Sequence, residues 1–293
     1  MKMKVGMIGL GNMGMPMAER LLDKFGDLMV YNRTASKCAP LCEKRAVQAK
    51  SAGDLAARCD VVVMSLAGPA AVSAVMKEVL SDGHEGLCVL DTSTISPELS
   101  REMAAAADEK NMHYIDCPVS GGPAGTARGT LSIMIGCEEE PFVSHGWKEV
   151  TDAFAKTYFF MKNPGMGSAI KLINNFMAFS AQVINGEALS MADALGISAT
   201  DFYAVTTASS GNNMILKAKM NKVLSGDRKP GFATDLVVKD LELADDLCHD
   251  AKVPAIMLNN ALQMYRLGQA KGYGSDDSSA VIGMIRQLRK KEN

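Results

Sequence analysis

The sequence predicts an α/β domain built on a doubly wound parallel sheet, followed by an all-α C-terminal domain joined to it by a long helix. Two features of the 293-residue chain carry this reading. Up to about residue 160, short β-rich apolar runs alternate with amphipathic or alanine-rich segments, the pattern of βαβ units. After Met161 such runs disappear, and long helical stretches separated by Gly, Asn and Pro take over. The domains are accordingly placed at 1–163 and 164–293.

Strands are expected at Lys4–Ile8, Leu28–Tyr31, Val61–Ser65, Leu87–Asp91, His113–Cys117, Leu131–Ile135 and Thr157–Met161, all around the parallel sheet. Helices are expected at Met15–Lys24, Ala35–Cys42, Ala70–Leu80 and Pro97–Lys110, the last opened by Ser96 as N-cap and Pro97 in the first turn. The joining helix should run from Met166 to about Leu195, roughly 45 Å at 1.5 Å per residue. From Leu172 to Ile184 it is apolar on nearly every side, which calls for cover from another domain or subunit, and a homodimer or homotetramer is expected.

Within this frame the run Gly9-Leu10-Gly11-Asn12-Met13-Gly14 follows an apolar strand and opens a helix. That context turns a weak Gly-x-Gly-x-x-Gly match into a Rossmann-type dinucleotide loop: a tight turn at Gly9, close pyrophosphate approach at Gly11, helix–sheet packing at Gly14. At the end of the second strand, where NAD-binding domains carry an acid for the ribose hydroxyls, stands Asn32, followed by Arg33 and Thr34. A neutral side chain, a cation and a hydroxyl suit a 2′-phosphate, so NADP is expected ahead of NAD.

Composition narrows the class further. With 47% hydrophobic residues, 22% charged and a net charge of −2, the chain reads as globular and has no basic excess for nucleic acid. Its 7 cysteines are scattered through apolar segments, as buried thiols in a reducing compartment would be. Cys38 and Cys42 have no second Cys/His pair beside them, so no metal site is expected. The glycine motif begins too near Met1 for a cleaved leader, and no apolar run reaches the roughly 18 to 20 residues of a membrane span. A cytoplasmic protein acting on a small molecule is expected.

Two segments are placed to meet a nicotinamide. Pro118-Val119-Ser120-Gly121-Gly122 sets a hydroxyl and two glycine amides at the carboxyl edge of the sheet, suited to a substrate carboxylate. Lys171 lies just inside the long apolar helix, with Asn175 four residues on along the same face. Apolar surroundings disfavour an ammonium and bring a lysine toward proton-transfer duty.

Taken together, Gly9–Gly14, Asp116–Gly136, Gly165–Asn175 and Gly231–Leu243 resemble the β-hydroxyacid dehydrogenase family over essentially the whole chain. The family includes 3-hydroxyisobutyrate dehydrogenase, tartronate semialdehyde reductase and the glyoxylate/succinic semialdehyde reductases. The resemblance implies that Lys171 is the catalytic acid/base and that Asn175 holds the reacting oxygen. It implies that Ser120, Gly121 and Gly122 bind the substrate carboxylate, and that Leu66, Ala67 and Thr94 line the nicotinamide ribose. Lys239 would close over the cofactor from the helical domain. The sequence departs from the family pattern at Ala67, Cys117 and Cys137, where proline, alanine and glycine are commoner. An imine reductase-like enzyme and a catalytically silent dinucleotide-binding scaffold are the alternatives. Lys171 together with Asn175 argues against both, since imine reductases resemble this chain with the lysine replaced and a scaffold has no chemical use for the pair.

Overall fold

A computed structural model of the chain describes residues 3–288 and divides after Lys171 into two compact units. The first unit opens with β1 (Val5–Ile8), α1 (Gly14–Phe25), β2 (Leu28–Tyr31), a 3-10 turn (Ala35–Cys38), α2 (Ala39–Cys42) and β3 (Val47–Gln48). It continues through α3 (Ala52–Ala56), β4 (Val61–Met64), α4 (Pro69–Asp82), β5 (Cys88–Asp91), α5 (Pro97–Asp108) and β6 (His113–Asp116). These six strands pair in parallel in the order β3-β2-β1-β4-β5-β6. The chain leaves β1 toward one edge and returns to the other side of β1 with β4, so the order reverses between those two strands.

Strand alternation divides the core into two layers. Val5, Met7, Val63 and Leu90 face a layer with Met17, Leu21 and Phe25 of α1, while Ile8, Val62, Met64 and Val89 face Leu55, Val72, Met76 and Val79 of α3 and α4. Both faces of the sheet are covered, which is why its strands read as unbroken apolar runs rather than alternating ones. Ser96 caps α5 as expected, its hydroxyl accepting from Leu99 N–H at 3.1 Å.

Two expectations need correcting. The stretch 35–42 is a 3-10 turn running into a single α-turn, because Pro40 has no N–H to continue an α-ladder begun at Ala35. The last two expected strands also stay outside the parallel sheet. After β6 come β7 (Val119–Ser120), α6 (Gly122–Arg128), β8 (Leu131–Ile135), α7 (Glu139–Ser144), α8 (Trp147–Thr151) and β9 (Ala155–Phe160). Here β8 pairs antiparallel with β7 and parallel with β9 in a separate three-stranded sheet. Pro118 cannot donate to a ladder and ends β6, and the chain turns out into β7.

The long helix α9 (Met166–Ala194) starts in the first unit and continues as the first helix of the second. There follow α10 (Ala199–Ala208), α11 (Met214–Ser225), α12 (Thr234–Asp250), α13 (Ile256–Ala270) and α14 (Ala280–Leu288). The core of this unit gathers Phe179, Val183, Leu189, Leu216, Val237, Leu241, Leu262, Tyr265 and Ile285. Among the described residues it contains no strand, only an isolated bridge between Ala233 and Asp277.

Candidate active site

The parallel sheet brings the ends of β1, β2, β4, β5 and β6 to one edge, and most of the sequence-predicted residues lie in the loops that leave it. Backbone hydrogen bonds start these loops in step: Gly9 N–H to Tyr31 O, Ser65 N–H to Ile8 O, Thr92 N–H to Met64 O and Cys117 N–H to Asp91 O, all at 2.7–2.9 Å. The glycine loop stands where the strand order reverses, beside the end of β4, the crevice in which ligands of open α/β sheets bind.

Each motif glycine is accounted for by space. Gly9 has φ +94°, and a Cβ there would lie 2.2 Å from Ser65 O. A Cβ on Gly14 would lie 1.8 Å from Gly9 O, so the start of α1 packs against the loop at backbone distance. At Gly11, by contrast, no described atom lies within 4 Å of a would-be Cβ. That open ground, at the start of a helix, is what a pyrophosphate lying on backbone N–H groups requires, so these residues fit a dinucleotide. Asn12 is exposed and Met13 precedes the first turn of α1.

Asn32 ties the glycine loop to the end of β2. Its Oδ1 accepts from Leu10 N–H and its Nδ2 donates to Thr34 O, both at 2.9 Å. Arg33 and Thr34 follow as exposed residues. Across the crevice, Leu66 N–H donates to Ser93 Oγ at 2.8 Å, which joins the loop after β4, with Ala67, to the loop after β5 that carries Thr94. Asp91 steadies that second loop, accepting from Ser93 N–H at 2.8 Å and from the Tyr114 hydroxyl at 2.7 Å.

Beyond β6, Ser120 ends β7 and is followed by Gly121 and Gly122 at φ +129° and +65°. No described atom lies within 4 Å of a Cβ on Gly122, so its backbone can be approached from outside. Cys117 is fully buried, and burial pushes its thiol well above the ordinary range; burial likewise raises the Cys137 thiol to about 12. The two cysteines among the departures from the family pattern are therefore protonated thiols that fill space.

Lys171 lies on the second turn of α9 and is 9% exposed. In the second unit, Asn175 is buried and its Nδ2 donates to Asp240 Oδ2 at 2.6 Å, while Lys239 Nζ pairs with Asp240 Oδ1 at 2.7 Å. Asp240, fully buried, thus orients one expected site residue and pairs with another. Sequence reading passed over it; the signal was an acid at a core-facing position of Asp235-Leu236-Val237-Val238-Lys239-Asp240. Asp116 was also passed over as a functional group, although it opens the Asp116–Gly136 motif. Among the described residues no group of three or more His, Cys, Asp or Glu could hold a metal ion, and no helix is long and apolar enough to cross a membrane.

A parallel sheet in this order, with a glycine loop at its reversal point, defines a dinucleotide-binding protein of the Rossmann type, here with a separate helical unit. Residues 4–161 match the NAD-binding domain of 6-phosphogluconate dehydrogenase, and residues 165–285 match the family described as NAD-binding of NADP-dependent 3-hydroxyisobutyrate dehydrogenase. A 2-(hydroxymethyl)glutarate dehydrogenase from Eubacterium barkeri is 34% identical over 97% of this chain and 95% of its own. A 3-hydroxyisobutyrate dehydrogenase structure from Salmonella typhimurium is 33% identical with a TM-score of 0.87, covering 96% of this chain and 99% of the other. The corresponding Mycobacterium tuberculosis enzyme with L-serine is 29% identical with a TM-score of 0.89, covering 98% of this chain and 100% of the other. The chain belongs to the β-hydroxyacid dehydrogenase family, NAD(P)-dependent enzymes that act on a CH–OH group.

Proposed function

We propose that the protein interconverts a small β-hydroxyacid and its semialdehyde, prefers NADP(H) to NAD(H), and uses Lys171 as acid/base. The observation that carries this reading is a buried lysine on a helix whose first turn is fastened to the edge of the sheet bearing the dinucleotide loop. In the oxidation direction the uncharged Lys171 amine takes the hydroxyl proton; in reduction its ammonium returns it. The nicotinamide, when bound, accepts or supplies the hydride at C4. Asn175, its amide turned by Asp240, holds the reacting oxygen, and Ser120 with the Gly121 and Gly122 amides receives the carboxylate. Arg33 and Thr34, exposed at the end of β2, support the choice of NADP.

The names of two relatives describe related alcohols. In both 3-hydroxyisobutyrate and 2-(hydroxymethyl)glutarate the CH₂OH group is attached to the carbon bearing the carboxylate. These two acids and their semialdehydes, with succinic and tartronate semialdehydes, form the panel to assay against NADPH and NADH. Lys171→Ala should lower kcat at least about 10²-fold, the usual worth of a general acid/base, while NADPH affinity stays within about twofold. A variant keeping more than about a tenth of wild-type kcat would make Lys171 a structural lysine.

We further propose a homo-oligomer, a dimer or tetramer. Along α9, Ile173, Met177, Ile184 and Met191 are 47–67% exposed, a repeating apolar stripe able to meet its own copy across a two-fold axis.

A further inference from the structure

The proton transfer described above makes no use of Asp116, yet this side chain is among the best-held in the first unit. It ends β6 and is 2% exposed. Oδ1 accepts from Gly165 N–H at 2.9 Å and Oδ2 from Ser168 N–H at 2.7 Å. Both donors belong to the start of α9, where backbone N–H groups have no partner within the helix and where a negative charge complements the helix dipole.

The surroundings leave this turn little freedom. A Cβ on Gly136 would stand 1.9 Å from Asp116 Oδ1, and one on Gly167 would stand 2.4 Å from Met134 O and 2.9 Å from Asp116 Oδ2. Ser168 Oγ shares a hydrogen bond with Ser100 Oγ of α5 at 2.9 Å. A Cβ on Gly165 would lie 2.5 Å from Pro97 O. The helix therefore begins against β6, β8 and α5 at backbone distance, with the carboxylate as its charged anchor. Lys171 comes one turn after Ser168, and the helical ladder passes any shift of that turn directly to the lysine.

We propose that Asp116 is a positioning residue for the reaction: by accepting both N–H groups it fixes the first turn of α9, and with it the place of the Lys171 amine. The inference rests on Lys171 being the acid/base. A displacement of about 1 Å at a reacting group can cost about 10² in rate. Asparagine at 116 keeps the volume but can accept only one of the two N–H groups and turns an NH₂ toward the other.

The carboxylate also makes the anchor sensitive to pH. Burial raises the Asp116 carboxyl to about 6, against the lowering effect of the Gly165 and Ser168 N–H groups. The groups that face it are Tyr114, Cys117 and, after β8, Cys137, with Asp91 behind Tyr114; the aliphatic stem of Arg101 passes beside Gly165. The phenol and the two thiols are pushed upward and stay uncharged near pH 6. Protonation of Asp116 turns one acceptor oxygen into a donor and releases an N–H. In the reduction direction Lys171 must be an ammonium, so acidification by itself favours its part. A loss of turnover on acidification therefore reports another group.

The test is the pH dependence of kcat for NADPH-driven semialdehyde reduction by wild type, Asp116→Asn, Lys171→Ala and the double variant, with NADPH affinity from fluorescence titration. Wild-type kcat should fall as the pH is lowered through about 6. Asp116→Asn should lose that limb and lie about tenfold or more below wild type at neutral pH, with NADPH affinity within about twofold. In the Lys171→Ala background the same change should cost nothing further, because an absent amine cannot be misplaced. A wild-type profile flat through pH 6 overturns the proposal without any variant. So does Asp116→Asn with wild-type kcat, or an equal loss with and without Lys171. If Lys171→Ala itself remains fully active, the catalytic reading fails first, and that arm shows it independently of Asp116.

Discussion

Asn32 shows how a residue can be legible in kind and not in use. The absence of an acid after β2 is visible in the sequence, but both ends of the amide are engaged, Oδ1 by Leu10 N–H and Nδ2 by Thr34 O, and no spacing rule announces those partners. The side chain joins the glycine loop to the loop that presents Arg33 and Thr34. Aspartate at this position keeps the acceptor, loses the donor and adds a negative charge beside the ground expected to receive the 2′-phosphate. Asn32→Asp should raise KM for NADPH about tenfold or more while changing KM for NADH much less, as read from initial rates with both cofactors on one substrate. The pairing of Asn175 with Asp240 escaped sequence reading for the same reason: its 65-residue separation is closed only by helix packing.

Among the elements of the first unit, length decided what could be read. Strands of four or five apolar residues and helices of twelve or more carry a recognisable period, and α9 is readable almost to its last residue. The two-residue β3 and β7 and the five-residue α3 and α8 contain too little of either period to be seen. Also hidden is the knot that holds the turn before α12 to the start of α14. Asp277, fully buried, accepts from Lys219 Nζ at 2.8 Å, from Gly231 N–H at 2.8 Å and from the Ser279 hydroxyl at 2.7 Å. Burial alone would raise its carboxyl, but these donors outweigh it and hold the group well below the usual carboxylate range. Its stabilising contribution is therefore complete above pH about 4, the unfolded value, and is lost as the pH falls toward the native one. Asp277→Ala, which strands Lys219, should destabilise the protein by about 3–5 kcal/mol in urea melts at neutral pH. The deficit should shrink when the melts are repeated in acid.

At the scale of the molecule, the parallel sheet and the helical second half follow from the change of period near Met161, while the departure of β8 and β9 into their own sheet depended on Pro118 ending β6. The all-round apolarity of α9 from Leu172 to Ile184 is equally plain in the sequence, and the side chains of its outward stripe remain exposed in the single chain. Met177, 66% exposed, and Met191, 67% exposed, are the most open members of that stripe on α9 itself. Replacing both with glutamate should give a monomer by light scattering at micromolar concentration, with the wild type a dimer or tetramer. A wild type that is already monomeric removes the oligomer from the account.

Asp116 sets two demands on the molecule against each other. Its carboxyl titrates near 6 in the native protein against 3.8 for an unconstrained aspartate, so the folded state binds the extra proton between those values. Its contribution to stability then falls as the pH rises through that window, and at neutrality the retained charge costs about 3 kcal/mol. Acidification should raise the stability of the folded chain while freeing the first turn of α9 and slowing the reaction. The melting-temperature difference between wild type and Asp116→Asn should move in favour of wild type as the pH is lowered from about 7 to about 5. The chain thus keeps an ionised group at the expense of stability, and on the proposed mechanism that group is the one that places the Lys171 amine.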